Sequence, residues 1–400
     1  MGTRAKHQIL VVGGGTAGIT VAARLLRKGF TDVAVIEPSD KHYYQPMWTL
    51  VGGGLADAPS TERPEASVMP KGVTWIRKSA NAFDPDNDTV TCSDGSVYGY
   101  DALVVCPGIQ LDWDKTEGLA QAVEGPGVSS NFRFDLAPKT WDLVRGTRSG
   151  SAVFMMPMFP MKCAGAPQKI AYLAADHWRK QGVLGAMDIH LVVPTPRAFG
   201  IPAIADSLDK VIAGYGIHLH TLSEVTAVDA DSRKVTVSAV AEGGSDLTLD
   251  YDMLHAVPRQ SAPDWIKSSP LSTGDALGYV EVDKHTLQHV RHPNVFALGD
   301  AGSTPNSKTG AAIRKQAPAV VENISAVLDG RPLPGSYNGY ASCPIVTSGH
   351  DMLLAEFDYD FNITPSLPGL DPTKPHRAYW YLKKYALPFM YWNLMLKGRA

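Results

Sequence analysis

Cysteine is scarce in this sequence. Its 400 residues contain 4 cysteines, Cys92, Cys106, Cys163 and Cys343. They are too few and too scattered for a disulfide framework, and none has the spacing of a zinc site. We therefore predict a reducing compartment and no bound metal.

A basic excess and an apolar leader are also missing. The formal net charge of −3 argues against nucleic acid as the main partner. Met1–Gln8 is short and polar, so we predict no signal peptide and a chain that faces the cytoplasm, unless an organellar transit peptide was removed.

No apolar run is long enough to cross a bilayer. The aromatic stretch Tyr385–Leu396 is uncharged but too short to span. Beyond Asp371, the last acidic residue, the charged residues are all basic: Lys374, Arg377, Lys383, Lys384, Lys397 and Arg399. This pattern predicts two amphipathic helices, broken near Pro388, that lie at a membrane surface with cations toward anionic lipid. The alternative is a C-terminal helix packed on the protein's own core.

The N-terminal region carries a dinucleotide-binding pattern of strand, glycine loop, helix, strand and terminal acid. Its parts are Gln8–Val12, Gly13-x-Gly15-x-x-Gly18, Ile19–Lys28, Val33–Ile36 and Glu37. The glycines allow a tight turn and close approach of a pyrophosphate to the helix N-terminus, while Glu37 can hold ribose hydroxyls. The order of these parts predicts a bound dinucleotide.

A second motif far downstream narrows the choice of dinucleotide. The apolar strand ending in Gly299-Asp300 resembles the second flavin motif of the glutathione-reductase-like superfamily, whose aspartate binds the ribityl chain of FAD. Thr309 and Gly310 then open a helix whose N-terminus can face the flavin. Together the two motifs favour FAD over NAD.

The middle of the chain repeats the alternation of strands and helices. The predicted elements are strands Ser151–Met156, Asp188–Val193 and Ile217–Thr221, helices Gln168–Lys180 and Ala203–Tyr215, and a hairpin around Glu242–Ser245. We predict an α/β fold with two tandem Rossmann-like domains and a C-terminal amphipathic, membrane-binding region. The expected segments are 1–110 (FAD-binding domain, first part, closing at Gly108), 111–270 (second Rossmann-like domain, with Cys163), 271–335 (FAD-binding domain, second part) and 336–400 (C-terminal region, with Cys343).

The second domain lacks the glycine loop that would hold a nicotinamide cofactor. The corresponding strand-to-helix turn, 156–167, contains prolines and Cys163 instead. A backbone cradle for phosphate needs glycines, so a nicotinamide cofactor is not expected there. The helix N-terminus and the adjacent Lys162 favour a thiolate at Cys163. Cys343 falls in a loop followed by a short apolar run.

Several motifs along nearly the whole chain resemble sulfide:quinone oxidoreductase, of the type found in mitochondria and many bacteria. They are Gly13–Gly18, Tyr43–Gly52, Lys162–Lys169, Gly299-Asp300, Ser342–Pro344 and Ala355–Tyr359. The resemblance implies that Cys163 and Cys343 form a catalytic redox pair. It further implies that FAD contacts Thr16, Ala17, Glu37, Gln45, Ala80 and Asp300.

The activity implied by this resemblance is oxidation of hydrogen sulfide through the Cys163/Cys343 pair. A persulfide would remain on Cys343, two electrons would pass through FAD to ubiquinone, and the sulfane sulfur would leave to glutathione, sulfite, cyanide or sulfide. The expected location is a monotopic position on the cytoplasmic face of a bacterial inner membrane.

Three other functions stay open at this point. They are a type-II NADH:quinone oxidoreductase, the flavoprotein subunit of a cytochrome-linked sulfide dehydrogenase, and a flavin-binding redox sensor in which the two cysteines switch without turnover. The missing second glycine loop counts against the first, and the missing export signal counts against the second.

Overall fold

The computed structural model describes residues 5–163, 165–241 and 243–400. Three parts of the chain lie outside the described residues. They are Met1–Arg4, in the segment predicted not to be a signal peptide, Ala164, in the predicted cysteine turn, and Glu242, in the predicted hairpin.

The strands are numbered in chain order: β1 (Ala5–Val12), β2 (Val33–Ile36), β3 (Lys41–Tyr43), β4 (Glu62–Pro64), β5 (Thr74–Ile76), β6 (Ala80–Asp84), β7 (Thr89–Cys92), β8 (Val97–Val105), β9 (Gln110–Asp112), β10 (Val128–Ser129), β11 (Gly150–Met155), β12 (Met187–Val192), β13 (His218–His220), β14 (Ser223–Asp229), β15 (Lys234–Ala239), β16 (Leu247–Asp250), β17 (Met253–His255), β18 (Arg259–Ser261), β19 (Val295–Ala297), β20 (Ala341–Val346) and β21 (Met352–Phe357).

The α-helices are α1 (Thr16–Lys28), α2 (Trp48–Gly52), α3 (Glu65–Val68), α4 (Leu119–Ala122), α5 (Leu136–Gly146), α6 (Ala166–Lys180), α7 (Pro202–Tyr215), α8 (Asp264–Lys267), α9 (Gly310–Leu328), α10 (Arg377–Tyr381) and α11 (Leu387–Asn393). Shorter 3₁₀ turns include Gln45–Met47, Gly299–Ala301 and Met395–Lys397, and a π-helical turn covers Leu382–Ala386.

The first sheet has the order β5-β2-β1-β8-β7-β6, and β19 pairs with β8. Its central strands are parallel, with Val11 beside Val35 on one side and Val104 on the other. Both faces are covered, so these strands are near-continuous apolar runs. The return of β19 to β8 brings the second flavin motif to the strand edge that carries the first.

The second sheet has the order β10-β17-β11-β12-β13, with every pairing parallel. β14, β15 and β16 form the small antiparallel sheet predicted around the hairpin. The two parallel cores, each flanked by helices, confirm the predicted α/β class with tandem Rossmann-like folds.

Two predictions near the C-terminus were wrong. Cys343 lies within β20, paired antiparallel with Ala355 on β21, and not in a loop. The tail is also not broken at Pro388: helical backbone continues from α10 through the π-helical turn into α11. In that turn the Leu387 N–H bonds to the Leu382 carbonyl, so the chain widens just before the proline, which has no N–H to give.

The tail packs with one face toward the FAD-type domain. Tyr391, Trp392 and Leu396 are buried, whereas Tyr381, Tyr385 and Phe389 are exposed. The tail is thus partly the packed core helix considered above and partly a free aromatic surface. Among the described residues no helix combines the length and apolarity needed to cross a membrane.

A buried ion cluster fastens α6 to the loop that follows β20. The Asp176 carboxylate, 2% exposed, lies 2.7 Å from Arg179 Nη2 and 2.6 Å from Lys180 Nζ, and it accepts the Gly349 N–H at 2.9 Å. Burial alone would raise the pKa of Asp176, but these donors outweigh it and lower the pKa.

We expect Asp176→Asn to destabilise the fold by about 1–3 kcal/mol, because Arg179, Lys180 and the Gly349 N–H lose a buried, charged acceptor. A lowered folded-state pKa gives stability that is full above the unfolded carboxyl's pKa, about 3.9, and lost as the pH falls below it. Urea unfolding should therefore separate wild type from Asp176→Asn at neutral pH, and the gap should shrink in acid. Asp142→Asn, which removes an exposed pair with Arg145, is the matched control; an equal loss in both variants would contradict the prediction.

Candidate active site

The dinucleotide loop requires glycine for steric reasons. Gly13 has φ +105°, and a Cβ there would lie 2.5 Å from the Cys106 carbonyl oxygen. A Cβ on Gly18 would lie 1.8 Å from the Gly13 carbonyl oxygen. A Cβ on Gly15 would meet nothing within 4 Å, so this glycine opens onto free space at the start of α1.

Glu37 stands at the end of β2 with its carboxylate held by backbone. Its oxygens accept the Gly14 N–H and the Ser39 N–H, each at 2.7 Å. Burial raises the pKa of Glu37, and the two amides oppose that rise. The predicted ribose-binding acid is thus fixed beside the glycine loop.

The second flavin motif meets the first at the start of α1. Gly299 adopts φ +69°, and a Cβ there would lie 3.3 Å from Ala17 Cβ. Its N–H donates to Gln316 Oε1 at 2.9 Å. Asp300 follows in the same turn and acts electrostatically on Lys308, where burial lowers the pKa to about 8 and Asp300 opposes the shift.

The turn containing Cys163 is bound to the segment that opens α9. The Cys163 N–H donates to the Lys308 carbonyl at 3.0 Å, next to Thr309. Thr309 caps α9 by accepting the Ala312 N–H at 3.2 Å. Cys163 therefore lies beside the helix N-terminus that was predicted to face the flavin.

Cys163 has an unusual backbone and a cationic partner. Its φ is +50°, the left-handed region, which costs energy for a residue with a Cβ. Its carbonyl accepts the Ala166 N–H at 2.7 Å, at the start of α6. Lys169 Nζ donates to its sulfur at 3.0 Å, which stabilises a thiolate.

Cys343 is buried and lies close to Cys163. Burial and then the charge of Cys163 raise the pKa of Cys343 to about 11, while Lys169, the Ser307 hydroxyl and the Gly165 amide oppose the rise. Ser307 Oγ lies 3.8 Å from the Cys343 sulfur. All four cysteines are described and are free thiols.

Further lysines surround the thiols. Lys162 Nζ donates to Gln45 Oε1 at 2.7 Å, and burial lowers its pKa while the charges of Asp300 and Cys163 oppose that shift. The hydrogen bond to the Cys163 sulfur comes from Lys169, one helical turn into α6. Lys383 reaches in from the tail to the Pro46 carbonyl at 2.7 Å, and burial lowers its pKa to about 7, with the nearby Lys169 adding to the shift.

Sequence reasoning missed both Lys169 and Lys383. A weak signal existed for Lys169, which is six residues after Cys163 and can point back along the first turn of the helix. For Lys383 the sequence offers no signal, because a lysine in an amphipathic tail is normally solvated.

The remaining predicted residues are less central to the cysteine site. Gly108 follows β8 with φ +82°, and a Cβ there would meet nothing within 4 Å. Ala80 opens β6 on the edge of the first sheet away from β5. Cys106 lies under the glycine loop, where burial raises its pKa and its sulfur contacts the Gly13 carbonyl at 3.7 Å. Cys92 is buried in the first domain.

The residues present fit FAD. Space is open at Gly15, Gly108 and Gly310, where an added Cβ would meet no atom within 4 Å. The N-terminus of α1 has no side-chain cap and no acidic residue in its first turn, which leaves its N–H groups for a pyrophosphate.

Comparisons with known proteins agree with this geometry. The family model described as pyridine nucleotide-disulphide oxidoreductase matches residues 7–132 and 169–319. The mitochondrial sulfide:quinone oxidoreductase of Dictyostelium discoideum is 40% identical over 98% of this chain and 86% of its own length. That of Mus musculus is 37% identical over 98% of this chain and 87% of its own.

A solved structure shares the fold. The sulfide:quinone oxidoreductase of Aquifex aeolicus aligns with a TM-score of 0.81 at 20% identity, over 98% of this chain and 92% of that one. The glycine loop, the second flavin motif and identity along nearly the whole chain lead to one assignment. The chain belongs to the sulfide:quinone oxidoreductase family of FAD-dependent pyridine nucleotide-disulphide oxidoreductases.

Proposed function

We propose that this chain oxidises hydrogen sulfide with Cys163 and Cys343 as its redox pair and delivers the electrons to ubiquinone. The observation that carries the proposal is the cluster formed by Cys163, Cys343 and Lys169 beside the start of α9. It combines two adjacent thiols, a cation on one of them, and a backbone link to the flavin-facing helix.

In the first step, hydrosulfide attacks Cys343 of the oxidised pair. A bond forms between the incoming sulfur and Cys343 Sγ, the Cys343–Cys163 bond breaks, and its electron pair leaves on Cys163 as a thiolate. Lys169 Nζ, 3.0 Å from that sulfur, favours Cys163 as the leaving group. Cys343 keeps the new sulfur as a persulfide.

In the second step, an acceptor takes the outer sulfur of the persulfide. Glutathione, sulfite, cyanide or a second sulfide would attack that sulfur, and the electron pair of the broken S–S bond would return to Cys343. Its site is buried and raises the thiol pKa to about 11, which makes this thiolate a poor leaving group. The Ser307 hydroxyl and the Gly165 N–H are placed to donate to it.

We place FAD between the two flavin motifs. The residues that would hold it are Gly13, Gly15, Thr16, Ala17, Gly18, Glu37, Gln45, Ala80, Gly108, Asp300, Thr309 and Gly310. Bound there, it would accept the two electrons released when the reduced Cys163 and Cys343 re-form their S–S bond, and it would be the donor for the quinone. Lys162 donates to the Gln45 side chain, and Lys383 donates to the Pro46 carbonyl, so the two lysines contact neighbouring residues of this site.

We also propose that the tail rests on a membrane, from which the quinone comes. Tyr381, Tyr385 and Phe389 recur every fourth residue and are 55%, 59% and 62% exposed, which gives one aromatic stripe. Lys384 lies beside it, 4.9 Å from the Trp380 ring centroid. Aromatic rings at headgroup depth with adjacent cations are typical of interfacial helices. The cytoplasmic face of a bacterial inner membrane stays our prediction.

Anaerobic sulfide should bleach the flavin absorbance of the wild type without NADH. Cys163→Ser should abolish the bleaching, and Cys343→Ser should lower sulfide-dependent quinone reduction at least about 100-fold, because each removes one half of the pair. Cys92→Ser, outside the pair, should keep turnover. Full turnover by Cys343→Ser would refute the two-thiol mechanism, and rapid bleaching by NADH would favour the type-II NADH:quinone oxidoreductase.

Lys169→Met should slow alkylation of Cys163 by iodoacetamide about tenfold or more, because the thiolate loses a charged hydrogen-bond donor. The reduced protein is labelled at neutral pH, and the modified peptides are quantified by mass spectrometry. Lys169→Arg should retain much of the rate, and Lys162→Met, which breaks the Gln45 contact, should have a smaller effect. A larger effect from Lys162→Met would show that the cation was wrongly assigned.

Replacing Tyr381, Tyr385 and Phe389 together by serine should weaken binding to anionic lipid vesicles about tenfold or more, because the rings lose their place at the interface. Co-sedimentation measures the bound fraction. Phe361→Ser is the matched control, since Phe361 is 60% exposed outside the tail. Unchanged vesicle binding by the triple variant would rule out this face as the membrane contact.

A further inference from the structure

On the buried face of the tail, Tyr391 belongs to a row of hydrogen-bonded polar side chains. The Tyr391 hydroxyl lies 2.8 Å from Thr16 Oγ1 and 2.6 Å from His42 Nε2. His42 Nδ1 lies 3.1 Å from Glu65 Oε2, and both of these side chains are 2% exposed. The row therefore runs from the tail to the first residue of α1 and, on its other side, to α3.

Donor and acceptor chemistry gives one assignment of the protons. With the Glu65 carboxyl oxygen as the acceptor, His42 Nδ1–H donates to it and Nε2 accepts the Tyr391 O–H. The Tyr391 oxygen then accepts the O–H of Thr16. Each group in the row thus donates its hydrogen bond toward Glu65, and the Thr16 side chain points toward the tail.

Thr16 lies at the helix start where an anion would bind. It is the first residue of α1, directly after Gly15, and the helix start has no side-chain cap. With its hydroxyl committed to Tyr391, the free backbone N–H groups at this end are left for a pyrophosphate. The Thr16 carbonyl in turn accepts the Thr20 hydroxyl at 2.6 Å, so the residue is fixed from both sides.

Packing holds Tyr391 in place. Its ring lies 4.3 Å from the Tyr44 ring and 4.9 Å from the Trp392 ring, measured between centroids. Arg63 stacks 4.2 Å from the Trp392 ring centroid. Farther along, Gly398 fits against α1, where a Cβ would lie 2.9 Å from the Arg24 nitrogen. The tail is thus seated on α1 at two points, and Tyr391 is the one that reaches the glycine loop.

One oxygen of this row is still available. Glu65 Oε1 is buried and has no hydrogen-bond partner among the described residues. It lies 3.0 Å from where a Cβ of Gly14 would stand, so it faces the glycine loop. The row therefore touches the loop at both of its ends.

We propose that Tyr391, held by His42 and Glu65, is a positioning residue for FAD: it fixes Thr16 at the start of α1, so that retention of FAD and docking of the tail depend on each other. The inference rests on the proposed placement of FAD at Gly13–Gly18. Linkage of this kind is reciprocal, so bound FAD holds the tail as firmly as the tail holds FAD.

The test is a double-mutant cycle on the holoenzyme, read by the rate of FAD release. Tyr391→Phe keeps the ring and removes the hydroxyl, and we expect release to speed up about 3- to 10-fold, the range for one buried hydrogen bond. Thr16→Val should also speed release. Adding Tyr391→Phe to Thr16→Val should then change the rate little, because the two groups act through one contact. Flavin fluorescence, quenched in the protein, reports the release.

Two further measurements complete the test. His42→Gln should speed release in the same direction as Tyr391→Phe, and Tyr385→Phe, on the exposed face of the same helical segment, should not. Amide hydrogen exchange across 387–393 in the holoenzyme should be faster in Thr16→Val than in the wild type, because a change at the start of α1 then loosens the tail, which is the reciprocal effect.

The outcomes distinguish the contact between Tyr391 and Thr16 from the FAD site itself. Faster release by Tyr391→Phe that disappears in the Thr16→Val background supports the proposal. Additive effects would overturn it, because Tyr391 would then act independently of Thr16. Unchanged release in Tyr391→Phe with faster release in Thr16→Val would refute the positioning role of Tyr391 and leave the proposed FAD site intact. No effect from either variant would count against both the positioning role and the FAD site.

Discussion

The site depends on one backbone contact, the hydrogen bond from the Cys163 N–H to the Lys308 carbonyl. It joins the turn after β11, in the second parallel sheet, to the segment between the second flavin motif and α9, in the first. The parallel bridge between Lys162 and Lys308 extends the contact. This link sets the position of the thiol relative to α9, the helix predicted to face the flavin, and a misplacement of about 1 Å between reacting groups can cost much of the rate.

The contact explains why Cys163 adopts a left-handed backbone. Its N–H must face Lys308, its carbonyl must accept the first amide of α6, and its sulfur must meet Lys169, which stands on the following turn of that helix. A positive φ of +50° meets all three demands at once. Strain of about 1–3 kcal/mol at this one residue is the energetic cost of the three contacts.

The second constraint is the charge of the two thiols, which the neighbouring lysines offset. If the half-buried Cys163 and the buried Cys343 both ionised they would repel each other, by about 4 kcal/mol for unit charges about 4 Å apart at an effective dielectric constant of about 20. The surroundings break the symmetry, because Lys169 contacts Cys163, whereas burial and the Cys163 charge keep the Cys343 thiol protonated at neutral pH. This difference between the two thiols matches the roles proposed for them, with Cys163 as the leaving group and Cys343 as the sulfur carrier. Burial lowers the pKa of Lys383 to about 7, and the charge of Lys169 adds to that shift.

What the sequence predicts well is local, and what it misses is brought together only by the fold. Gly13, Gly18 and Glu37 are predictable because they belong to one continuous motif, in which Gly18 meets the Gly13 carbonyl and Glu37 accepts the Gly14 N–H. Lys383 is not, because its partner, the Pro46 carbonyl, lies far along the chain. Pro388 misleads for a physical reason: a proline normally ends a helix, yet a π-helical turn before it absorbs the missing N–H. The continuous tail that results carries its exposed aromatic stripe and its buried Tyr391 on one helical segment. The surface proposed to meet lipid and the hydroxyl proposed to fix Thr16 therefore cannot move independently.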